Sequence, residues 1–372
     1  MTGEISRAEL ERRIIRPEDF VADAEAFVDV RLPRSKGKLS YSMIGPGVSQ
    51  NAAQAINLAE PHGFGIGAAA MPHGVVNNPH LHYTAEVFIC TSGNFRMSIG
   101  EHGEQSLDLS EGDIFATPTW VFRGFENIGD DDGWLFTVLG GDETGGIIWA
   151  PHVLRAAAET GLYLAADHSV VEVNGSEPPT GLLSALTPEQ LLHTDRYSDA
   201  QLAERLVRRS ELDWHRHGLA SSVLEGHRSA IAPVIGHGMT EHRGHQAPVS
   251  VAHGFSVEWL RIAAGAETGM HRHDDSSVLL IVDGDFEVTL NRRERLSERV
   301  EPRSVVSVPS GAWRSFANAG SRDAHAVVVN GGDHRNRLVW AHEILDGIAA
   351  AGYGHDACGF LAPLELIGRP VR

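Results

Sequence analysis

The sequence predicts an all-β protein of two tandem jelly-roll barrels with short flanking helices, and three observations carry that prediction. First, the chain repeats itself. His80 recurs as His271, 191 positions on (271 − 80), and the same offset relates Gly74 to Gly265, His82 to His273, Gly93 to Gly284, Pro118 to Pro309 and Asn127 to Asn318. The register holds from Ile44-Gly45 (Ile235-Gly236) through His62-Gly63-Phe64 (His253-Gly254-Phe255) and Gly140-Gly141-Asp142 (Gly331-Gly332-Asp333) to Gly161 (Gly352), as expected for two linked copies of one unit. Second, short apolar runs such as Phe64 to Met71, Glu86 to Cys90, Phe95 to Ile99, Ile114 to Ala116 and Leu135 to Leu139 are punctuated by Gly, Asn and Asp, a strand-and-turn pattern. Third, the chain contains 40 glycines, as many tight turns require.

The elements follow in order. Residues 1–39 read as a polar N-terminal extension in which Ser6 and Glu9 have capping-box spacing, predicting a short helix ahead of the first barrel. Residues 40–164 form the first barrel, closed by a helix over Val153 to Thr160 with Gly161 as its C-cap. Residues 165–225 read as a helical linker, because Thr187-Pro188-Glu189-Gln190 supplies an N-cap, a proline at N1 and a glutamine at N3, and Ser198 to Gln201 repeats the logic. The second barrel, 226–352, ends in the matching helix Ile344 to Ala351 before Gly352, and 353–372 is a C-terminal tail. A length of 372 residues suits two domains of roughly 100–200 residues each.

Composition excludes several function classes. The formal net charge of −18 opposes nucleic acid and anionic membrane as partners, so a small-molecule substrate is the expected partner. Cys90 and Cys358 make neither a disulfide framework nor a thiolate zinc site. The polar N-terminus and the lack of any run of ~20 apolar residues point to the cytoplasm. Barrel edges offer a route to a homo-oligomer, a two-fold dimer being the commonest case.

His80, His82 and Glu86 share even parity, so on a strand in register their side chains converge inside the barrel. Two neutral imidazoles and one carboxylate suit a divalent metal with open coordination positions, Fe(II) first, with Mn, Ni, Zn and Cu as competitors. The spacing from Gly74 through His80, His82 and Glu86 to Gly93 resembles the first motif of the cupin superfamily, and Pro118 and Asn127 stand where the second motif expects them. The resemblance covers about residues 40 to 160 and 230 to 350. It implies a two-barrel cupin, a group that includes oxalate decarboxylase, quercetin dioxygenase and gentisate-type ring-cleaving dioxygenases. The family's second motif places a fourth ligand, histidine, five residues after the proline; here that residue is Arg123, and Trp120 replaces the usual glycine.

A guanidinium cannot ligate a metal, so three placements are open to Arg123: aimed at a substrate anion, paired with Glu86 in place of a metal, or turned outward by a one-residue register change. Tyr83, Phe88, Phe115, Trp120, Trp134 and Phe136 are private to the first copy and predict an aromatic pocket wall, and Tyr83 and Trp120, which lie within the motifs, are with Arg123 the candidate catalytic residues. In the second copy His271 and His273 persist, but Ser277 and Arg314 occupy the other two ligand positions, predicting a degenerate barrel. His62 and His253 begin strands and suit a rim role, and His215, His217, His237, His242 and His245 read as surface or linker residues. The expected activity is a non-haem iron dioxygenase acting on a small aromatic or conjugated acid. The alternatives are a metal-dependent decarboxylase, isomerase or lyase, and a metal-free small-molecule-binding protein.

Overall fold

The structure is a computed structural model that describes residues 4–173 and 180–367. It divides into two compact units, residues 20–211 and residues 1–19 with 212–372. Each unit is a jelly roll of two sheets, antiparallel except where Leu39–Ile44 pairs in parallel with Ile56–Leu58 in the first unit. In the first unit, a five-stranded sheet runs Ile147–Trp149, Val76–His82, Arg123–Asn127, Phe95–Ile99, Gln105–Leu109. Its seven-stranded partner runs Leu206–Val207, Ile114–Thr117, Glu86–Ser92, Gly133–Gly140, Phe64–Met71, Leu39–Ile44, Ile56–Leu58. The second unit repeats the plan with a six-stranded and a five-stranded sheet.

Residues predicted from the repeat act as clamps. Asn127 donates to the carbonyls of Met71 (2.7 Å) and Asp131 (2.8 Å) and accepts from Gly129 N, and Asn318 makes the same three bonds to Ile262, Arg322 and Gly320. Gly93 has φ +83°, and a Cβ there would lie 2.9 Å from the Gly133 Cα, so the turn admits no side chain. The helices after the barrels run Pro151–Glu159 and His342–Ala350, starting earlier than expected, in the first case because Pro151 occupies the first turn, where no N–H is needed. Gly161 and Gly352 follow them with positive φ. Thr187 and Ser198 both form full capping boxes.

The N-terminal helix differs from the expected arrangement. Helix Arg7–Arg13, capped by Ser6, and the strand Ile14–Ile15 belong to the second unit: Ile14 and Ile15 pair with Val306 and Val305, Leu10 is fully buried in that barrel's core, and Arg13 donates to Ser307 Oγ at 2.9 Å. The linker does the same for the first barrel, where Leu206 and Val207 pair with Phe115 and Ile114 and Leu202 joins the core. The two arms are themselves a repeat, Ser6-x-Ala8-x-Leu10 to Arg13-Ile14-Ile15-Arg16 matching Ser198-x-Ala200-x-Leu202 to Arg205-Leu206-Val207-Arg208, now 192 positions apart (198 − 6). Each arm therefore precedes one barrel in sequence and completes an edge of the other, because an open edge strand left unpaired is a liability. The linker is thus partly structure of the first unit, not a free connection.

Candidate metal centre

Strand Val76–His82 carries the two histidines and strand Glu86–Ser92 opens with the carboxylate. His80, His82 and Glu86 are 3, 0 and 4% exposed, and one ligand atom of each lies within 4.8 Å of the others. The tautomer of His80 is set locally: Nδ1 donates to the Asn78 carbonyl at 2.7 Å, leaving the Nε2 lone pair free to ligate. His82 Nε2 stands 3.4 Å from Glu86 Oε2. Both atoms are buried and unpartnered, as are His82 Nδ1 and two guanidinium nitrogens of Arg123. Buried polar atoms are normally satisfied, so such a concentration marks a place built for something else.

Arg123 points inward. It is fully buried opposite His80, donates from Nη2 to the Pro118 carbonyl at 2.7 Å, and holds Nε 3.7 Å from Glu86 Oε2 without a hydrogen bond. Of the three placements the outward one is therefore excluded. Burial, reinforced by Arg123, holds His80 down to about 3 and His82 well below the usual imidazole value, so both rings are neutral, as ligands must be. Burial pushes Glu86 up to about 7 while Arg123 pulls it down, and burial lowers Arg123 to about 10 while Glu86 opposes it.

A cavity of about 60 Å³ opens against these residues. Its wall is mixed: the small residues Ser40, Ser42, Gly67, Ala69 and Thr137 face it beside the apolar Phe27, Val48, Phe125 and Leu139, and Lys38 closes one side. Lys38 and Asp29 form a buried ion pair (2.8 Å), and Lys38 also donates to Asn77 Oδ1, so a fixed charge network lies beside His80. Sequence reasoning did not single out this network. The signal was available in the repeat: Asp29, Lys38 and Asn77 become Ala220, Ser229 and Thr268, while Ser40, Gly67, Ala69 and Thr137 become Ile231, Glu258, Leu260 and Val328. Small and polar residues keep the first barrel open where larger ones fill the second.

The cavity has an aromatic wall, but Phe27, Tyr41 and Phe125 form it instead of the residues expected. Phe88 and Phe115 are core residues, Trp134 stacks on Phe20 beside Phe136, and none of the six private aromatics lines the cavity. Tyr83 and Trp120 pack edge to face at 5.2 Å but are 38 and 42% exposed, outside the cavity. A strand end displays its side chains to either side, and parity alone does not tell a pocket from a packed core. His62 sits at the rim, its Nδ1 bonded to the Glu60 carbonyl and its N–H to Asp142.

In the second barrel the same positions close on themselves. Arg314 donates to His273 Nε2 at 3.1 Å and to Ser277 Oγ at 2.9 Å, and Ser277 bonds Asn330 at 2.8 Å. A guanidinium only donates, so the His273 Nε2 lone pair is already used.

Two stretches, residues 69–139 and 258–330, match the cupin domain family. Among solved structures, the oxalate decarboxylase of Lactobacillus farciminis in complex with formate is 13% identical, with a TM-score of 0.58 over 92% of this chain and 91% of that one. The oxalate decarboxylase of Bacillus subtilis at pH 4.6 is 14% identical, with a TM-score of 0.56 over 92% and 80%. A further structure of the Bacillus subtilis enzyme, described for its Mn(II) centres, is 14% identical, with a TM-score of 0.55 over 92% and 81%. No curated protein matches the chain in sequence. Among the described residues no helix is long and apolar enough to cross a membrane.

Proposed function

Because this chain is a two-barrel member of the cupin superfamily, we propose that its first barrel is a divalent-metal-dependent catalyst for a small carboxylic acid, running a decarboxylation or a related lyase or isomerase step. The observation that carries this reading is the convergence of His80 Nε2, His82 Nε2 and Glu86 Oε2, the last two buried without partners, on one small cavity. The donor set fits a hard-to-borderline divalent ion and leaves positions open. Such an ion supplies Lewis-acid polarisation of a bound carboxylate. Arg123 sets the charge balance, its guanidinium holding Glu86 toward the ionised form that ligates. The Lys38–Asp29 pair and Asn77 hold the strand that carries His80, and the surrounding barrel keeps bulk water away.

Cavity size supports a small substrate. A void of roughly 150 Å³ is what holds a benzene ring, more than twice the space here, which favours the smallest acids over the aromatic substrate expected of a ring-cleaving dioxygenase. Oxalate, the substrate named for the neighbouring enzymes, is the first compound to test, with Mn(II) and Fe(II) as the first metals. A second reading rests on the 3.7 Å approach of Arg123 to Glu86, a metal-free barrel in which that pair replaces the ion. Elemental analysis after reconstitution with Mn(II) or Fe(II) separates the two. About one ion per chain, lost in His82→Gln, is expected, and less than about a tenth of an ion refutes the catalytic reading. Turnover without dioxygen separates a lyase from an oxygenase.

A further inference from the structure

The two barrels differ in charge at a joint far from the catalytic cavity in sequence, where the turn after strand Phe95–Ile99 meets the first turn of helix Pro151–Glu159. In the second barrel the equivalent joint is closed by arginine and glutamate: Arg292 Nη2 lies 3.1 Å from Glu343 Oε2, with Arg295 3.8 Å from Glu343 Oε1. At the same positions of the first barrel, Arg292 is Glu101, Arg295 is Glu104 and Glu343 is His152, with His102 in place of Arg293. Two cations have become carboxylates and the anion has become an imidazole.

We propose that Glu101, His102 and His152 form a second divalent-metal site, of the zinc class, in which the ion restores the positive charge that arginine supplies in the other barrel. One ligand atom from each of the three lies within 4.8 Å of the others. The His102 and His152 rings face each other at 5.1 Å between centroids and 34° between planes, and His102 Nε2 is 3.8 Å from Glu101 Oε1. His152 Nδ1 is buried and has no hydrogen-bond partner, a lone pair or proton aimed at nothing in the protein. Glu104 stays close, its carboxylate accepting from the His102 N–H at 3.2 Å.

The chemistry favours a borderline cation. Two imidazoles with a carboxylate are a known zinc donor set, and tetrahedral donors at zinc bond lengths sit ~3.4 Å apart, so these side chains need to close by about an ångström. The turn permits that: it is bracketed by Gly100 and Gly103, both at positive φ, and the His102 side chain is 64% exposed.

The test uses the full chain, freed of metal by a chelator and titrated with zinc alone in competition with a chromophoric chelator. In a His80→Gln, His82→Gln background, zinc binding is expected to persist. Adding His102→Gln and His152→Gln is expected to weaken it by more than ~100-fold, since losing even an outer-shell partner costs roughly 10–100-fold. A second variant, Glu101→Arg with His152→Glu, copies the ion pair of the other barrel. It is expected to keep the wild-type melting temperature while removing the upward shift that zinc gives the parent. Zinc binding that is absent from the background variant, or unchanged in either joint variant, overturns the proposal and leaves the reading of the catalytic cavity untouched.

Discussion

Replacing Lys38 by methionine gives the sharpest test of how the first site is held. The Lys38 and Asp29 side chains are 2 and 0% exposed, with Nζ 2.8 and 3.0 Å from the two carboxylate oxygens. Methionine matches the aliphatic stem but strands the Asp29 charge, and breaking one half of a buried pair costs about 3–5 kcal/mol. Asp29 keeps donors from Asn78 Nδ2 (2.9 Å) and, at longer range, from Ser35 and Asn78 N, which places the expected loss toward the lower bound, ~3 kcal/mol. In a unit of this size that lowers its melting temperature by about 6–12 °C. The second barrel shows that the fold does not need the pair, since it has Ala220, Ser229 and Thr268 at these positions. Asp29→Ala, Lys38→Ser and Asn77→Thr together are therefore expected to cost less stability than Lys38→Met alone, while still impairing metal binding through His80. Calorimetry of the full chain measures both. A loss below ~1 kcal/mol for the single variant, or a triple variant less stable than the single, refutes the argument that charge isolation dominates.

Three further outcomes follow from the structure. Gly67→Ala puts a Cβ 3.0 Å from Thr137 Oγ1 and 3.1 Å from the Tyr41 carbonyl, so it is expected to cost about 1–3 kcal/mol and to reduce turnover as the cavity shrinks, measured by melting and by kcat/KM. Leu10→Ala and Leu202→Ala, both in buried arm positions, are each expected to cost about 2–5 kcal/mol, the first from the second barrel and the second from the first barrel; hydrogen exchange resolved by barrel checks which unit loosens. Burial raises Glu258 to about 7, against hydrogen bonds from Met239 N and Asn330. The folded state thus holds a proton that the unfolded chain releases near its ordinary value, and stability falls as pH rises between about 4.5 and 7, by ~3 kcal/mol. Glu258→Gln is expected to flatten this part of a stability-against-pH curve, and an unchanged slope refutes the assignment.

Much of the fold was legible because a repeat is a property of sequence. The 191-residue offset located both barrels, and the parity of His80, His82 and Glu86 placed them on one inner face. The same reasoning misjudged the aromatics: Phe88 does face inward, yet into packed core, and Trp120 lies outside the cavity. Periodicity states the side of a sheet on which a residue lies, not whether that side is filled. Asp29 and Lys38 escaped notice because their partnership joins the segment before strand Leu39–Ile44 to strand Val76–His82, a contact no local pattern encodes.

The sequence by itself determined the doubled all-β architecture, the turn glycines and the three converging donors, because each depends on short-range periodicity or on identity between copies. Tertiary structure decided which arm completes which barrel, that Arg123 turns inward beside Glu86, and that the first barrel stays open while the second is filled. Those outcomes depend on the volume and charge of residues brought together across the chain, and such sums exist only once the strands have paired.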